Sequence, residues 1–399
     1  MMRRCFATLG WVLSLAVCGA SARATPDPGM LSGNIFPLQQ KHVHSSSIVE
    51  LPDGDLLACW YHGSGERQAN DVRVLGSRWR RDDSRWGPTF TLADTPGLPD
   101  CNPVLFVDRR GRLWLFWIVV VANRWEHSLL KYRRADDPGD DGAPPWTWQD
   151  TIQLLPGDGF QRAVREGFRS LELEEDLWAE YAPPYSRGIT AAAGDAIKRQ
   201  TGWMTRTHPV VLPTGRILLP LYSDGFNLSL MAISDDGGDS WRASSPIVGL
   251  GPIQPTVLRR KDGTLLALHR DSGNAPARVL QSVSKDDGVT WSPAVDTRLP
   301  NPGSSLEAIA LRSGRWLLVC NDTERGRHRL SVAISGDEGA SWTPARPLAQ
   351  SEPGGSSFSY PSVLQSRDGT VHVTYTLSTP SGKSIRHARL GSDWLRSVR

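Results

Sequence analysis

Histidine and tyrosine side chains lie close to the ends of several apolar runs in this chain of 399 residues. They are His42, His44, Tyr61, His62 and His208, and Arg206 precedes the last of them in Arg206-Thr207-His208-Pro209. Imidazole and phenol groups transfer protons, and the planar guanidinium of arginine binds carboxylates through paired hydrogen bonds. Together such groups suit β-elimination on a uronic acid: arginines neutralise the carboxylate, one histidine or tyrosine removes the adjacent proton, and another protonates the leaving oxygen. Each histidine could instead be a structural residue whose ring is hydrogen-bonded.

Metal and thiolate chemistry have little support in the sequence. His42 and His44 would place two rings on one face of a strand, but two ligands do not make a metal site. Cys59, Cys101 and Cys320 are too few and too scattered for a disulfide framework or a thiolate cluster. We therefore expect no metal and no cofactor, and we expect these cysteines to be small buried hydrophobic residues.

The first residues have the pattern of an export signal. Arg3 and Arg4 precede an apolar stretch over 7–17, and Ala22-Arg23-Ala24 offers a small-x-small cleavage site. This predicts a signal peptide over 1–24, a propeller domain over 25–399, and a periplasmic or secreted protein. Leu15-Ala16-Val17-Cys18 loosely matches a lipoprotein box, so lipid anchoring is the less favoured alternative. No later stretch is long enough to span a membrane.

The charge balance disfavours nucleic acid as a partner. The chain has 45 basic and 42 acidic residues, and removing Arg3, Arg4 and Arg23 with the leader leaves 42 of each. A neutral chain without basic runs lacks the electrostatic footprint that nucleic-acid binding requires.

Six glycine turns, each followed by an apolar run, repeat along the chain. The turns are Asp53-Gly54, Arg110-Gly111, Thr214-Gly215, Asp262-Gly263, Ser313-Gly314 and Asp368-Gly369, and the runs are LLACW, LWLFW, ILLPLY, LLALH, WLLVC and VHVTYT. A tight turn between apolar strands indicates a β-hairpin. The sequence therefore predicts six copies of one antiparallel unit.

A second motif follows three of these hairpins, and its tryptophan lies 26, 28 and 28 residues after the hairpin glycine. It is Ser-x-Asp-x-Gly-x-x-Trp, at 234–241, 284–291 and 335–342. We expect a self-contained loop in which the aspartate accepts local backbone N–H groups, the glycine takes a positive φ and the tryptophan packs the loop onto its sheet. This makes the motif a structural element and not a catalytic one.

These repeats predict an all-β, six-bladed β-propeller with four-stranded blades. The last hairpin lacks a following motif, so the stretch near Ile35-Phe36 is expected to supply the outer strand of that blade and to close the ring. One interval is longer than the others because of a partly helical insertion between blades two and three, at about 156–203. Its apolar spacing at Phe160, Val164, Phe168, Leu171 and Leu173, with acidic residues over 172–176, predicts a helix. The insertion could be a decoration on the side of the propeller or a lid over its funnel.

From about Val43 to Arg389 the chain resembles the bacterial sialidase superfamily. The Ser-x-Asp-x-Gly-x-x-Trp motif matches the Asp-box of that superfamily, and blocks such as LPNPGSS at 299–305 and SYPSVL at 359–364 are similar to its predicted sialidases. The resemblance implies a site in which three arginines bind the substrate carboxylate, a tyrosine paired with a glutamate is the nucleophile, and an aspartate is the acid/base.

Four residues match that site by their place in the repeats. Tyr360, nine positions before Gly369, matches the catalytic tyrosine; Arg270 and Arg327 match the second and third arginines; and Asp71 matches the acid/base. Each has a structural alternative: a core tyrosine, solvated loop arginines and a turn aspartate.

Two departures from the family pattern concern the nucleophile and the first arginine. The segment His44-Ser45-Ser46-Ser47-Ile48 replaces the first arginine's block, and Gln254 replaces the activating glutamate. Because glutamine cannot take a proton from tyrosine, Glu307 in the fifth repeat is a candidate substitute base.

The resemblance thus implies an exo-acting, sialidase-like glycoside hydrolase for acidic oligosaccharides or polysaccharides. Its catalytic residues would be Tyr360 and Asp71, with Glu307 as a substitute base, and Arg270 and Arg327 would bind the carboxylate. A lyase or other hydrolase of uronate-containing glycans would use His44 and Tyr360. In either enzyme Gln254, Arg206, His208 and His62 are further substrate-binding candidates. A glycan-binding propeller without catalysis is the third alternative, because a fold does not by itself confer a function.

Overall fold

The computed structural model describes residues 29–171, 185–273 and 275–398, and the predicted leader over 1–24 lies outside these ranges. The described residues form six antiparallel sheets. Contacts between the inner strands of neighbouring blades run around the whole set and return from the sixth blade to the first. This confirms the predicted all-β, six-bladed propeller. No helix within the described residues is long and apolar enough to cross a membrane.

The strands follow one order in every blade, from the axis outward. Before the first blade comes β1 (Met30–Asn34). The first blade contains β2 (His42–Glu50), β3 (Leu56–Gly63), β4 (Arg73–Arg80), β5 (Arg85–Trp86) and β6 (Phe90–Ala93). The second contains β7 (Asp100–Val107), β8 (Leu113–Val119), β9 (Leu129–Ala135) and β10 (Trp148–Thr151). The third contains β11 (Met204–Thr205), β12 (Val210–Val211), β13 (Ile217–Ser223), β14 (Leu228–Ser234) and β15 (Arg242–Ala243).

The other blades continue this order. The fourth contains β16 (Pro252–Arg259), β17 (Leu265–Asp271), β18 (Arg278–Ser284) and β19 (Val295–Pro300). The fifth contains β20 (Glu307–Ala310), β21 (Trp316–Cys320), β22 (Arg329–Ser335) and β23 (Arg346–Gln350). The sixth contains β24 (Ser357–Gln365), β25 (Val371–Thr379) and β26 (Gly382–Leu390). The helices are α1 (Gly159–Ser170), α2 (Tyr185–Ala192), α3 (Ala196–Gln200) and α4 (Ser392–Arg396), with short 3₁₀ turns at Val121–Asn123 and Trp125–His127.

The N-terminal strand closes the ring. β1 pairs with β26, and the sheet of the sixth blade therefore has the order β1-β26-β25-β24. The backbone N–H of Ile35 then donates to the carbonyl oxygen of Ile385 at 2.8 Å. This confirms that the stretch before the first hairpin supplies the outer strand of the last blade.

The hairpin glycines and the Asp-box loops lie on one face of the propeller, which we call the hairpin face. An arginine at the base of one hairpin holds the box loop of the next blade: Arg112 donates to the carbonyl oxygen of Gly237 at 3.0 Å, and Arg216 to that of Asp287 at 3.1 Å. In the first box Asp236 accepts the backbone N–H of Ser240 at 2.9 Å, as predicted. The predicted glycine, Gly238, has φ 96°, and a Cβ there would lie 2.4 Å from the ring of Trp114. The boxes are therefore joints between blades.

Apolar side chains fill the space between the blades. The second and third blades share the cluster that also receives the insertion, and separate clusters fill the other interfaces. Cys59, Cys101 and Cys320 are buried free thiols, as predicted. Each blade is thus stabilised mainly by its two neighbours.

The insertion packs on blades two and three. Phe160, Val164 and Phe168 of α1 are buried in the shared cluster, which confirms the predicted apolar face of this helix. Arg199 anchors the ends of the insertion by donating to the carbonyl oxygen of Pro156 at 2.9 Å and to the carboxylate of Asp158 at 2.7 Å. Leu173 and the predicted acidic face over 172–176 lie outside the described residues.

Candidate active site

Six polar residues, one from each blade, lie in or beside the part of each inner strand that is nearer the face opposite the hairpins, which we call the site face. Each lies nine positions before its hairpin glycine, and the position pairs are 45/54, 102/111, 206/215, 254/263, 305/314 and 360/369. The residues are Ser45, Asn102, Arg206, Gln254, Ser305 and Tyr360, and all are buried. Since the rise per residue along a strand is nearly constant, equal spacing places them at one level along the axis. We call this set the axial ring.

Strained backbone turns several of these side chains toward the axis. Ser45, Asn102, Gln254 and Tyr360 have φ values of 58°, 49°, 53° and 55°. Each lies where the pairing of the inner strand shifts register. A bulge with positive φ re-aims a side chain at an energetic cost that non-glycine residues rarely bear. The strain in four blades therefore marks the centre of the site face as the candidate site.

Tyr360 lies at the centre of the predicted site residues. Its hydroxyl oxygen accepts hydrogen bonds from Nη1 of Arg270 at 3.0 Å and from Nε2 of Gln254 at 3.2 Å. The guanidinium carbons of Arg206 and Arg327 lie 5.0 and 5.4 Å from its ring centroid. The fold thus brings the three arginines of blades three, four and five, together with Gln254 of blade four, to one side chain of blade six.

The charges around Tyr360 favour its phenolate form. Burial alone raises the pKa of this phenol, but the positive charges of Arg270 and Arg327 and the hydrogen bond from Gln254 outweigh burial, and the net pKa lies below its ordinary value. Two N–H donors directed at one oxygen stabilise negative charge on that oxygen. Tyr360 is therefore suited to act as a nucleophile or a base without a neighbouring carboxylate.

His44 packs against Tyr360 from the first blade. The two ring centroids are 4.1 Å apart, and Nδ1 of His44 shares a hydrogen bond of 3.0 Å with Oγ1 of Thr376. Burial holds the pKa of His44 well below its usual value, and the charges of Arg327 and Arg206 act in the same direction. The imidazole is consequently neutral near pH 7 and can accept or relay a proton.

Glu66 is a site residue that the sequence analysis missed. Its Oε1 accepts the hydroxyl proton of Tyr61 at 2.7 Å and lies 3.2 Å from Nε2 of His42. Burial raises the pKa of this carboxyl, but the contacts with His42, His44 and Tyr61 outweigh burial and lower it to about 2. Only the five-residue separation of Tyr61 and Glu66, across the turn that follows β3, could have indicated this pair.

His208 and Glu307 lie one step further from the site face. The corresponding residues, seven positions before each hairpin glycine, form what we call the lower layer: Ser47, Val104, His208, Thr256, Glu307 and Ser362. Glu307 accepts from the backbone N–H and Nδ1 of His208, both at 2.8 Å, and from the backbone N–H of Val363 at 2.8 Å. Nε2 of His208 donates to the carbonyl oxygen of Ile48 at 3.0 Å. Glu307 is therefore engaged by His208 and Val363, and the structure does not bring it to the Tyr360 hydroxyl.

Arg206 belongs to the axial ring, but backbone oxygens occupy its terminal nitrogens. Nη1 donates to the carbonyl oxygen of Ser46 at 3.2 Å, and Nη2 donates to that of Pro361 at 2.8 Å. Its side chain is buried beneath the Tyr360 ring. Arg206 thereby links blades one, three and six and adds positive charge below Tyr360.

Asp71 and His62 lie at the rim of the first blade. Oδ1 of Asp71 accepts from the N–H and the hydroxyl of Ser64, and Oδ2 pairs with Nζ of Lys41 at 3.1 Å. The hydrogen bonds from Ser64, followed by that from Lys41, lower the pKa of Asp71. Burial and the charges of Lys41 and Arg73 lower the pKa of His62. The described contacts of both residues are thus with the rim and not with Tyr360.

Comparisons with known proteins agree with this architecture. Residues 54–164 and 196–373 match the sequence profile of the BNR repeat-like domain family. The anhydrosialidase of Macrobdella decora is 22% identical over 274 residues, which cover 65% of this chain and 32% of that protein. A sialidase of Bacteroides fragilis is 26% identical over 154 residues, which cover 36% of this chain and 27% of that protein. The chain therefore matches about a third or less of the length of these relatives.

A solved structure supports the same fold. The NanB sialidase from Streptococcus pneumoniae superposes with a TM-score of 0.65 at 10% sequence identity, over 90% of this chain and 70% of that one. At this identity the similarity establishes the propeller architecture, and the site must be argued from its own residues.

Proposed function

Because the chain belongs to the BNR repeat-like family of the sialidase superfamily, we propose that it is an exported glycoside hydrolase of acidic glycans. In this proposal it acts in the manner of an exo-α-sialidase and removes a terminal sugar that carries a carboxylate. Export is part of the proposal and depends on the sequence pattern over residues 1–24.

The observation that carries the proposal is the set of donors at the Tyr360 oxygen. Arg270 and Gln254 both donate to it, and the pKa of the phenol is lowered despite its burial. In the proposed reaction this oxygen forms a bond to the anomeric carbon while the bond to the leaving oxygen breaks. Water then hydrolyses the tyrosyl–sugar intermediate and restores Tyr360. The arginines replace the glutamate of the family pattern as the activating groups.

The same arginines would hold the substrate carboxylate. Arg327 is largely buried, and its described hydrogen bond uses Nη2, which donates to the carbonyl oxygen of Gly303 at 2.8 Å. A guanidinium has five N–H donors, so further donors of Arg327 can reach a ligand above Tyr360. Arg270 faces the same space from the fourth blade. A carboxylate between two such side chains receives charge-assisted hydrogen bonds.

The leaving oxygen requires a proton donor, and two groups are candidates. Asp71 fits the family pattern, but its contacts with Ser64 and Lys41 favour the carboxylate, so it would have to exchange these contacts before donating a proton. Tyr61 contacts the ring of His44, which packs against Tyr360, and the raised pKa of its phenol, due to burial and to Glu66, keeps it protonated. Its hydroxyl would have to exchange its hydrogen bond to Glu66 before donating a proton. We propose Tyr61 as the second candidate donor.

One observation favours the lyase alternative. The neutral imidazole of His44 lies against Tyr360, and neither group has a carboxylate within its described hydrogen bonds. On a uronate held by Arg270 and Arg327, the Tyr360 phenolate would remove the proton beside the carboxylate. The electron pair would form a ring double bond as the glycosidic oxygen leaves with a proton from Tyr61.

The decisive experiment offers purified protein two substrates in parallel. A fluorogenic sialoside reports hydrolysis, and acidic polysaccharides followed by the absorbance of unsaturated uronates report elimination. Fluorophore release supports the hydrolase and unsaturation supports the lyase. Binding without either product would support a non-catalytic glycan-binding propeller.

Tyr360→Phe tests the residue assignment in the same assays. The variant keeps the ring between His44 and Arg206 but removes the reacting oxygen, so turnover should fall by about 10²–10⁴-fold. Tyr375→Phe is the matched control, because Tyr375 is a buried tyrosine of the same blade with a raised pKa. Equal turnover in Tyr360→Phe and wild type would remove Tyr360 from the mechanism.

A further inference from the structure

An open groove lies on the site face beside the axial ring. Its volume is about 850 Å³, and it runs between the 3₁₀ turns of blade two, the loop after β13, and helix α3 of the insertion. A single sugar at Tyr360 would leave this groove unused. The insertion therefore contributes a wall to a second space, in addition to its packing on blades two and three.

The groove begins where the candidate active site ends. Arg67 lines the groove and directly follows Glu66, whose carboxylate accepts from Tyr61. On the opposite wall Asp224 lines the groove and lies two positions after Tyr222, whose hydroxyl accepts from Asn102 of the axial ring. A chain of sugars that starts at Tyr360 can consequently continue into the groove without crossing a blade.

The wall formed by blade two is held by contacts with the insertion and with blade one. Oγ1 of Thr201 donates to the carbonyl oxygen of Glu126 at 3.1 Å, and a Cβ on Gly202 would lie 2.7 Å from that oxygen. Asn123, with φ 56°, donates to the carbonyl oxygen of Arg67 and so joins the second blade to the first. Backbone strain held by such contacts is typical of binding sites, which gain affinity from preorganisation.

The lining combines apolar surface with positive charge. Trp125 and Ile197 offer apolar surface for the C–H faces of sugar rings, and Ile197 is 73% exposed, whereas Phe226 is buried. Arg67, Arg124 and Lys198 supply N–H donors, and Arg67 packs over the Trp125 ring at 5.3 Å. Two carboxylates, Glu126 and Asp224, also line the groove, and Glu126 pairs with Arg124 at 3.2 Å, so the cationic groups are in excess by one. Cationic donors beside aromatic surface suit an acidic oligosaccharide better than a neutral one.

We propose that this groove binds the internal sugars of an acidic oligosaccharide whose terminal residue is held at Tyr360. The inference rests on the proposed function for the position of the terminal residue. It adds the substrate class: the protein prefers chains with repeated acidic groups to short substrates.

The test reverses one exposed charge of the groove. Lys198→Glu should raise the KM for α-linked oligosialic acid by about 10-fold at unchanged kcat and leave the KM for a small fluorogenic sialoside unchanged. Lys285→Glu is the matched control, because Lys285 is also exposed but lies in an Asp-box loop on the hairpin face. An equal change for both substrates, or no change for oligosialic acid, would overturn the proposal.

Equilibrium binding separates this proposal from the proposed function. If neither substrate is turned over, calorimetry with oligosialic acid and with oligogalacturonate measures occupancy of the groove without chemistry. Weaker binding by Lys198→Glu than by Lys285→Glu would support the groove even then. Equal affinity of both variants for both oligosaccharides would contradict it, as would equal affinity of the wild type for a neutral oligosaccharide of the same length.

Discussion

The axial ring and the lower layer are separated by two residues in every blade, yet their polar groups have different partners. In the lower layer Glu307 and His208 bond each other and the backbone of neighbouring strands. In the axial ring the Tyr360 oxygen receives only side-chain donors, from Arg270 and Gln254, among the described residues. A group saturated by backbone partners cannot turn to a ligand, whereas side-chain donors can exchange partners. Buried polar residues therefore form a structural cross-link at one level and a candidate site at the next.

The arginines show the same contrast. Arg206 uses both terminal nitrogens on backbone carbonyl oxygens and is buried beneath Tyr360, whereas the described hydrogen bond of Arg327 joins Nη2 to the carbonyl oxygen of Gly303. Both add positive potential to the phenol, and in our proposal Arg327, rather than Arg206, binds the substrate carboxylate. In this proposal, the hydrogen bonds that an arginine makes to backbone oxygens, more than residue type or burial, distinguish a structural arginine from a substrate-binding one.

The largest expected effect is on stability and comes from the lower layer. Glu307→Gln should lower the free energy of unfolding by about 3–5 kcal/mol, because it leaves a buried imidazolium without its counter-ion. Tyr360→Phe should change it by less than about 1 kcal/mol. Urea unfolding of both variants measures the difference, with Glu166→Gln on the exposed face of α1 as the control. Equal losses of unfolding free energy in Glu307→Gln and Tyr360→Phe would contradict the different roles assigned to the two layers.

The next effect compares two arginines that both pack against Tyr360. Arg327→Lys should raise the KM for an acidic substrate by about 10–100-fold, because lysine cannot form the paired hydrogen bonds of a guanidinium. Arg206→Lys should leave the KM nearly unchanged and lower the free energy of unfolding by about 1–3 kcal/mol, since it leaves a buried carbonyl oxygen without a donor. Steady-state kinetics and unfolding on the same preparations check both. A larger KM change in Arg206→Lys than in Arg327→Lys would contradict the proposal that Arg327, and not Arg206, binds the substrate carboxylate.

Of the two layers, only the lower layer should contribute a stability that depends on pH through the His208–Glu307 pair. Burial lowers the pKa of His208, but Glu307 and the backbone of Ile48 outweigh burial, and the net pKa is raised. The stability that His208 contributes is therefore complete below the ordinary pKa of 6.5 and is lost as the pH rises through the raised pKa. Burial raises the pKa of Glu307, but His208 outweighs burial, and the net pKa is lowered. The stability that Glu307 contributes is therefore complete above the ordinary pKa of 4.5 and is lost as the pH falls through the lowered pKa.

The difference in stability between wild type and Glu307→Gln should therefore be largest between pH 4.5 and 6.5. Above this window it should narrow by at most about 1.4 kcal/mol per pH unit. Unfolding curves at several pH values measure this difference. A difference that is constant across pH would show that the pair is not ionised in the folded protein.

The smallest effect concerns the axial ring itself. Gln254→Glu places a carboxylate beside Tyr360, which should shift the alkaline limb of the pH–rate profile upward and raise hydrolysis by about 10-fold through general-base assistance. Asn102→Asp is the control, because Asn102 occupies the equivalent ring position but donates to Tyr222. Unchanged or reduced turnover in Gln254→Glu would favour elimination over hydrolysis.

Much of the candidate site could be predicted because the repeats are regular. The spacing from the hairpin glycine singled out Tyr360, and the same spacing applied to every blade would also have indicated Asn102, Ser45 and Ser305, all of which are buried. Glu66 could not be found in this way, since it lies in a loop after β3 and reaches the site by a turn of the backbone.

By itself the sequence determined the number of blades, the closure of the ring and the level of each inner-strand residue, because a β-ladder repeats with a fixed rise and a fixed alternation of sides. Only the tertiary structure decided that Glu307 bonds His208, that Arg206 is held by backbone oxygens, and that the insertion forms one wall of a groove. Those outcomes depend on which groups of neighbouring blades lie within hydrogen-bonding distance. Such distances arise from packing between segments far apart in the chain, and no local pattern of residues records them.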